Sequence, residues 1–299
     1  MKQACFSLWE SSHVVADLLP LFNPIQSKAV QLFQGLGPLG RRVRITRLPG
    51  IHHDANAVIM VGSESSIMVD TGTTWYQMLQ LERLAGHLGS TKLERILLTS
   101  RRFPFCGAAG HISQVHGDIP IHIHPSAISA MDTGDFFTTW ANRYDSDMPS
   151  TKCEPVVQGE VFEMGDGVIT TLSLPGHTTD GMGYFEAARG ILVAGSVLPR
   201  ADSPSRWDMP GGCLPELIDS LKIIHDLSCE NIVPARGPTI KGRDHIDEIL
   251  NRHLEFFEDI SDQNGKVPRS WPRPARTAYF LTPPEPWPLD EIEFSRKGK

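Results

Sequence analysis

The sequence lacks the features that would place it outside the ordinary soluble class. It holds no C-x-x-C pair: Cys5, Cys106, Cys153, Cys213 and Cys229 stand far apart and are odd in number. That pattern argues against a zinc ribbon or a disulfide framework and predicts free thiols in a reducing compartment. No apolar run is long enough to cross a bilayer, and Glu10, His13 and Asp17 interrupt the N-terminal stretch where a secretion signal would carry its apolar core. The expectation is a cytoplasmic protein without membrane attachment. Positive charge is also in deficit. A net charge of −7 argues against nucleic acid or an anionic membrane as the main partner. What remains is a chain of 299 residues with 40% hydrophobic and 21% charged residues, enough to bury a core without a staple.

Residues 1–42 show a weak helical pattern broken by Pro20, Pro24, Gly35, Gly37, Pro38 and Gly40, which predicts an N-terminal arm. Strand signals follow at Val43–Leu48, and Ala57–Val61 and Ile67–Val69 form a hairpin by composition. Met78, Leu81, Ala85 and Leu88 recur at helical spacing, with Thr73 or Thr74 as the cap. A strand at Arg95–Thr99, a helix from about Gly107 to Val115 and a strand through Ile119, Ile121 and Ile123 continue the rhythm. It predicts a layered α/β domain over residues 43–260.

Asp132–Gly159 breaks the rhythm with Phe136, Phe137, Trp140 and Tyr144, as a binding loop or an aromatic strap would. The second half repeats it, with strands at Val161–Phe162, Val168–Leu174, Met182–Phe185 and Ile191–Ala194. A helix at about Leu214–Leu227, a strand at Ile232–Val233 and a helix through Ile246–Phe257 complete the domain. Over residues 261–299, seven prolines between Pro268 and Pro288 exclude regular helix and predict an extended strap docked by its aromatics.

Five landmarks carry a resemblance. They are Val69-Asp70-Thr71-Gly72 after a hairpin, the turn Leu97–Gly110, Leu174-Pro175-Gly176-His177-Thr178, Val193-Ala194-Gly195-Ser196, and Val233-Pro234-Ala235-Arg236-Gly237-Pro238. In this order and spacing the chain resembles the metallo-β-lactamase superfamily. The resemblance implies a four-layer αββα sandwich with a site where these loops meet at the sheet edges. It also implies one or two Zn²⁺ or iron ions, held by His and Asp, that activate water for hydrolysis.

Carried over residue by residue, that ligand set is nearly gone. His177 remains. Ser100 and Arg102 stand where two histidines of the long turn belong, and Pro104 and Phe105 where its Asp and third His belong. Ser196 replaces the bridging carboxylate, and Arg236 replaces the last His. An alcohol is a poor zinc ligand and a guanidinium has no lone pair to give. A zinc site needs at least three protein ligands. The expectation is therefore no metal and no other cofactor.

Two cationic ions are lost and two arginines arrive in the same loops. This predicts guanidinium groups in the former metal volume, with Arg102, Arg236, Ser100 and Ser196 binding a small anion, or arginines salt-bridged to Asp70 across a dead cavity. His177 and Asp70 are the candidates for any remaining catalysis. Cys106, between two arginines and a helix start, is either an activated thiol or a small buried turn residue. His52, His53, Asp54 and His111 are the other polar residues from which a relocated mononuclear site could be made with His177 and Asp70. Adjacent histidines on an extended loop point apart, which speaks against one shared ion. His122 and His124 read as sheet-surface residues. The sequence thus favours a non-metal pseudoenzyme or anion-binding protein. A hydrolase of esters, thioesters or lactones with a rearranged site, or a partner-binding scaffold, are the alternatives.

Overall fold

Strand β2, Ala57–Val61, is buried on both faces over its first four residues, and that sets the layering. Successive strand side chains point to opposite faces. Val58 and Met60 enter a core shared with Ile67, Val69, Leu97, Ile169, Met182, Tyr184 and Val193. Ala57 and Ile59 enter a different core, with Met68, Leu84, Ile96 and Ile112. A strand with two buried faces reads as a continuous apolar run, as Ala57-Val58-Ile59-Met60 does.

The coordinates are a computed structural model that describes residues 42–263 together with 265, 273–274 and 280–282. The arm expected over residues 1–42 lies outside the described residues apart from Arg42, as does most of the strap. The first sheet runs β1 (Arg44–Leu48), β2, β3 (Ser66–Val69), β4 (Arg95–Leu97), β5 (Ile121–Ile123) and β6 (Glu154–Pro155), in chain order. It is antiparallel up to β3 and parallel beyond it. The second sheet contains β7 (Val161–Glu163), β8 (Val168–Ser173), β9 (Met182–Glu186), β10 (Ile191–Gly195), β11 (Asn231–Pro234) and β12 (Ile240–Lys241). Only its β10–β11 pair is parallel.

Helices α1 (Gln77–Leu88), α2 (Phe103–Cys106), α3 (Ala109–Val115) and α4 (Ile128–Thr133) cover the outer side of the first sheet. Helices α5 (Leu214–Asp226) and α6 (Arg243–Asp262) cover the second through Leu217, Leu221, Ile249, Leu250 and Phe257. The layers are αββα, as the sequence predicts. A short hairpin, β13 (Arg273–Pro274) with β14 (Leu281–Thr282), belongs to the strap. Its Leu281 is buried in the α5–α6 core, and the Leu281 N–H donates to the Pro204 carbonyl at 2.7 Å.

Five local expectations change. Helix α1 starts only after a 3-10 turn over Thr74–Tyr76, and neither that turn nor α1 has a side-chain cap at its start. The buried stripe of α1 is Gln80, Leu84 and Leu88, spaced by four, so Met78 falls on the outer side and is 67% exposed. The long turn becomes helical at Phe103, four residues earlier than expected, because Pro104 at the start of α2 presets a helical φ and needs no N–H partner. The Asp132–Gly159 segment divides: Trp140 and Tyr144 are buried, while Phe136 and Phe137 are 38% and 64% exposed. His122 is not a surface residue. Its neighbours Ile121 and Ile123 face the helices, so it faces the other sheet, edge-on to Phe162 at 5.5 Å.

Candidate functional site

Thr99 ends the strand-to-turn passage and holds the site end of the sandwich together. Its N–H donates to Asp70 Oδ1 at 2.8 Å and its hydroxyl to Asp70 Oδ2 at 2.7 Å. Its carbonyl accepts from the Met182 N–H at 2.9 Å, which ties the first sheet to the second. Asp70 is fully buried, and burial raises its pKa to about 7 against the pull of the two Thr99 hydrogen bonds. Both carboxylate oxygens are thus occupied by Thr99. The salt bridge expected between Asp70 and an arginine is replaced by this staple.

The arginines of the turn diverge. Arg101 donates its backbone N–H to Asp180 Oδ2 at 2.6 Å and sets Nη1 2.8 Å from Asp180 Oδ1. Asp180 lies three residues beyond His177, and sequence reasoning missed it. The signal available was that a buried arginine requires an acid nearby. Arg102 is 1% exposed. Its Nη1 donates to the Thr138 carbonyl at 3.0 Å and its Nη2 to the Pro210 carbonyl at 2.9 Å. The guanidinium carbon sits 4.4 Å from the centre of the Trp140 ring. No described carboxylate forms an ion pair with Arg102, and its Nε has no hydrogen-bond partner. Burial lowers its pKa to about 10, so it remains a cation at neutral pH. Ser100 is spent inside the turn, where its Oγ accepts from the Arg102 N–H at 3.3 Å.

His177 is placed by Gly176, whose φ of +123° and contact with the α5 backbone at Leu217 leave no room for a Cβ. The His177 Nδ1 lies 2.8 Å from the Arg206 carbonyl. A carbonyl only accepts, so this bond assigns the proton to Nδ1 and leaves the lone pair on Nε2. That Nε2 is buried without a partner, as is Ser196 Oγ. Burial, and then the adjacent positive charge of Arg102, lowers the His177 pKa to about 3. Arg206 and Pro210 belong to one loop, so this loop accepts hydrogen bonds from both His177 and Arg102.

Arg236 stands elsewhere on the rim. Its N–H donates to the Pro199 carbonyl at 2.8 Å, and its charge adds to the burial that lowers the His53 pKa and opposes the burial that raises that of Asp54. Asp54 accepts from the Thr73 N–H at 2.9 Å, and burial raises its pKa to about 6. His52 stacks on Tyr76 at 5.6 Å while His53 meets Tyr144 edge-on at 5.5 Å, so the two rings part as expected. His111 lies apart from both, lining a groove of about 820 Å³ between α3 and β6 to which neither His177 nor Arg102 contributes. Cys106 is fully buried and burial pushes its thiol pKa well up, which matches the small buried turn residue and argues against the activated thiol.

These positions do not fit the metals implied by the resemblance. His177 Nε2 offers one lone pair, but the neighbouring turn position presents a guanidinium cation. Among the described residues no group of three or more His, Cys, Asp or Glu is placed to hold an ion. What opens beside the turn instead is a cleft of about 490 Å³ lined by Arg101, Arg102, Phe137, Trp140, Asn142 and Arg143, with Thr138, Pro210 and Gly211.

Known proteins agree with the architecture. A crystal structure of the BLEG-1 B3 metallo-β-lactamase is similar at a TM-score of 0.58 and 19% identity, covering 66% of this chain and 94% of that one. A metallo-β-lactamase family protein from Thermus thermophilus gives 0.57 and 17% over 81% of this chain and 98% of its own. At these identities the likeness shows the fold alone. In sequence, an uncharacterized protein of Aquifex aeolicus (strain VF5) is 26% identical over 173 residues, which is 57% of this chain and 77% of that protein. The family model of the metallo-β-lactamase superfamily matches residues 51–240, and with it the chain belongs to that superfamily.

Proposed function

We propose that this chain is a metal-free member of its superfamily that binds a small anion, with a guanidinium group taking the electrostatic role of the metals. The observation that carries this reading is Arg102: a buried cation that forms no direct ion pair with a described carboxylate, Asp180 acting on it only from a distance, beside an open cleft and at a turn position where a metal-binding His would stand. A buried charge left without an acid is costly unless something else neutralises it. Two carbonyls and the Trp140 face supply part of that compensation. An oxyanion in the cleft would supply the rest.

A hydrolase with a rearranged site is the second reading, favoured by the orphaned His177 Nε2 and Ser196 Oγ. It is weakened by the basicity of His177. An imidazole of pKa about 3 is about four units below the value at which a general base works best near neutrality.

The test combines two measurements on protein purified without chelator: elemental metal content, and calorimetric titration with inorganic phosphate and with acetate. The expected result is sub-stoichiometric zinc, iron and manganese, together with anion binding that is lost in Arg102→Met while circular dichroism shows the fold retained. Near-stoichiometric metal, or equal anion affinity in folded Arg102→Met, overturns the proposal.

A further inference from the structure

We infer that the Arg102 cleft recognises an oxyanion carried on a flat apolar body, such as an aryl carboxylate or an aryl phosphate; this rests on the anion reading above and adds the ligand's chemical class. Three observations combine. The first is charge. Arg101, Arg102 and Arg143 line one cleft, and the carboxylates in reach are fewer. Asp180 is committed to Arg101, and Asp135 is committed to the Phe137 and Thr138 N–H groups and the Thr138 hydroxyl. On a chain whose net charge is −7, a patch where guanidinium groups outnumber carboxylates is a local reversal of sign.

The second observation is that donors are left over. Arg102 Nε and Arg101 Nε are buried and have no partner. Arg143 is exposed and lies 5.1 Å over the Trp140 ring, and its guanidinium has no hydrogen bond or ion pair to any described residue. The Trp140 face holds this guanidinium at the lip of the cleft, with its donors unused by any described residue. Gly211 reinforces the wall: its φ is +86°, and a Cβ there would come within 3.0 Å of Arg101 Nη2.

The third observation is an aromatic lip. Phe137 is 64% exposed and packs on Phe136 with ring centres 4.1 Å apart. Phe137 lines the same cleft as the arginines. An exposed aromatic pair beside unspent guanidinium donors matches an amphipathic ligand, with the anionic head on Arg143 and Arg102 and the flat body on Phe137. A cleft of about 490 Å³ suits a small organic molecule rather than a polymer.

The experiment compares four probes by calorimetric titration at low ionic strength: inorganic phosphate, phenyl phosphate, acetate and benzoate. Each aryl probe should bind about tenfold more tightly than its headgroup alone. The phosphate and carboxylate arms then show which headgroup the site prefers. Phe137→Ala should remove most of the aryl gain and leave inorganic phosphate unchanged. Arg143→Gln should weaken all four probes about fivefold or more. Both side chains are exposed, so both variants should fold. Equal affinity for phenyl phosphate and inorganic phosphate, or an aryl gain that survives Phe137→Ala, overturns this inference and leaves the anion reading standing. Failure of all four probes to bind overturns both.

Discussion

Replacing Asp70 with Asn tests whether this aspartate is a staple or a catalytic base. Its pKa rises from 3.8 in the unfolded chain to about 7 in the folded one. A raised carboxylate pKa contributes stability that is fully present below about pH 4 and is lost as pH rises through about 7. With about 1.4 kcal/mol per pH unit over about three units, the ionised folded state at pH 8 is about 4 kcal/mol less stable than if Asp70 stayed neutral. Asparagine is isosteric and permanently neutral. Its Oδ1 still accepts from the Thr99 N–H, but its amide and the Thr99 hydroxyl must rearrange their proton, at a cost of about 1 kcal/mol. Asp70→Asn should therefore be nearly neutral at pH 5 and more stable than the parent by about 3 kcal/mol at pH 8. For a chain of this size that is a rise in Tm of about 5 °C. Urea unfolding followed by circular dichroism at the two pH values measures it. A variant less stable at pH 8, or a difference independent of pH, refutes the assignment of Asp70 as a buried, Thr99-bound staple.

Three further changes separate the roles of neighbouring residues. Asp180→Asn leaves Arg101 without its acid and should cost about 3 kcal/mol, yet it adds net positive charge to the cleft and should tighten phosphate binding; weaker binding in the folded variant would contradict the charge balance described here. Gly176→Ala forces a Cβ toward Leu217 at a positive φ and should cost roughly 3 kcal/mol, seen as a fall in Tm of about 5 °C; an unchanged Tm would show that the loop moves freely. His177→Gln should cost about 1 kcal/mol at pH 8 for the hydrogen bond to the Arg206 carbonyl and become stabilising by about 1 kcal/mol at pH 5, because the unfolded imidazole takes up a proton below about 6.5 while the folded one, with pKa about 3, stays neutral and the parent loses about 2 kcal/mol. A cost independent of pH would show that His177 is not held neutral in the folded chain.

The layers were legible because they depend on local periodicity. The doubly buried run at Ala57–Met60 and the stripes of α5 and α6 can be read directly from the chain. Which positions to inspect was legible as well, since each landmark fixes where the resemblance would place an imidazole or a carboxylate. The partners of the replacements were not legible. Arg101 and Asp180 lie 79 residues apart in the chain, and nothing local links them. Arg102 and Arg236 look equivalent in sequence, yet one is buried against Trp140 and the other borders His53 and Asp54. Asn142 and Arg143 escaped notice because the Asp132–Gly159 segment has no period that tells an inward residue from an outward one. The face of α1 was legible only in part for a similar reason: Leu81 and Leu88 meet the core as their spacing predicts, but Met78 and Ala85 turn outward while Leu84 turns in.

On the proposed reading, exchanging metals for arginine changes what the site can do and not only how it is held. A metal-bound water approaches a pKa of about 7 because the ion accepts its lone pair. A guanidinium offers only N–H donors and has no acceptor orbital for water, so it can recognise an oxyanion but cannot make a hydroxide. The accompanying substitutions follow from this. With the ions gone, the turn carboxylate and the bridging carboxylate would be buried anions without cations, and Pro104 and Ser196 stand in their places. Asp180, by contrast, is a buried anion with a cation to meet it, Arg101. On that reading, Arg102 keeps a positive charge in the turn while no carboxylate stands at the positions where the resemblance would place them, and that imbalance favours a bound anion as the complement of this site.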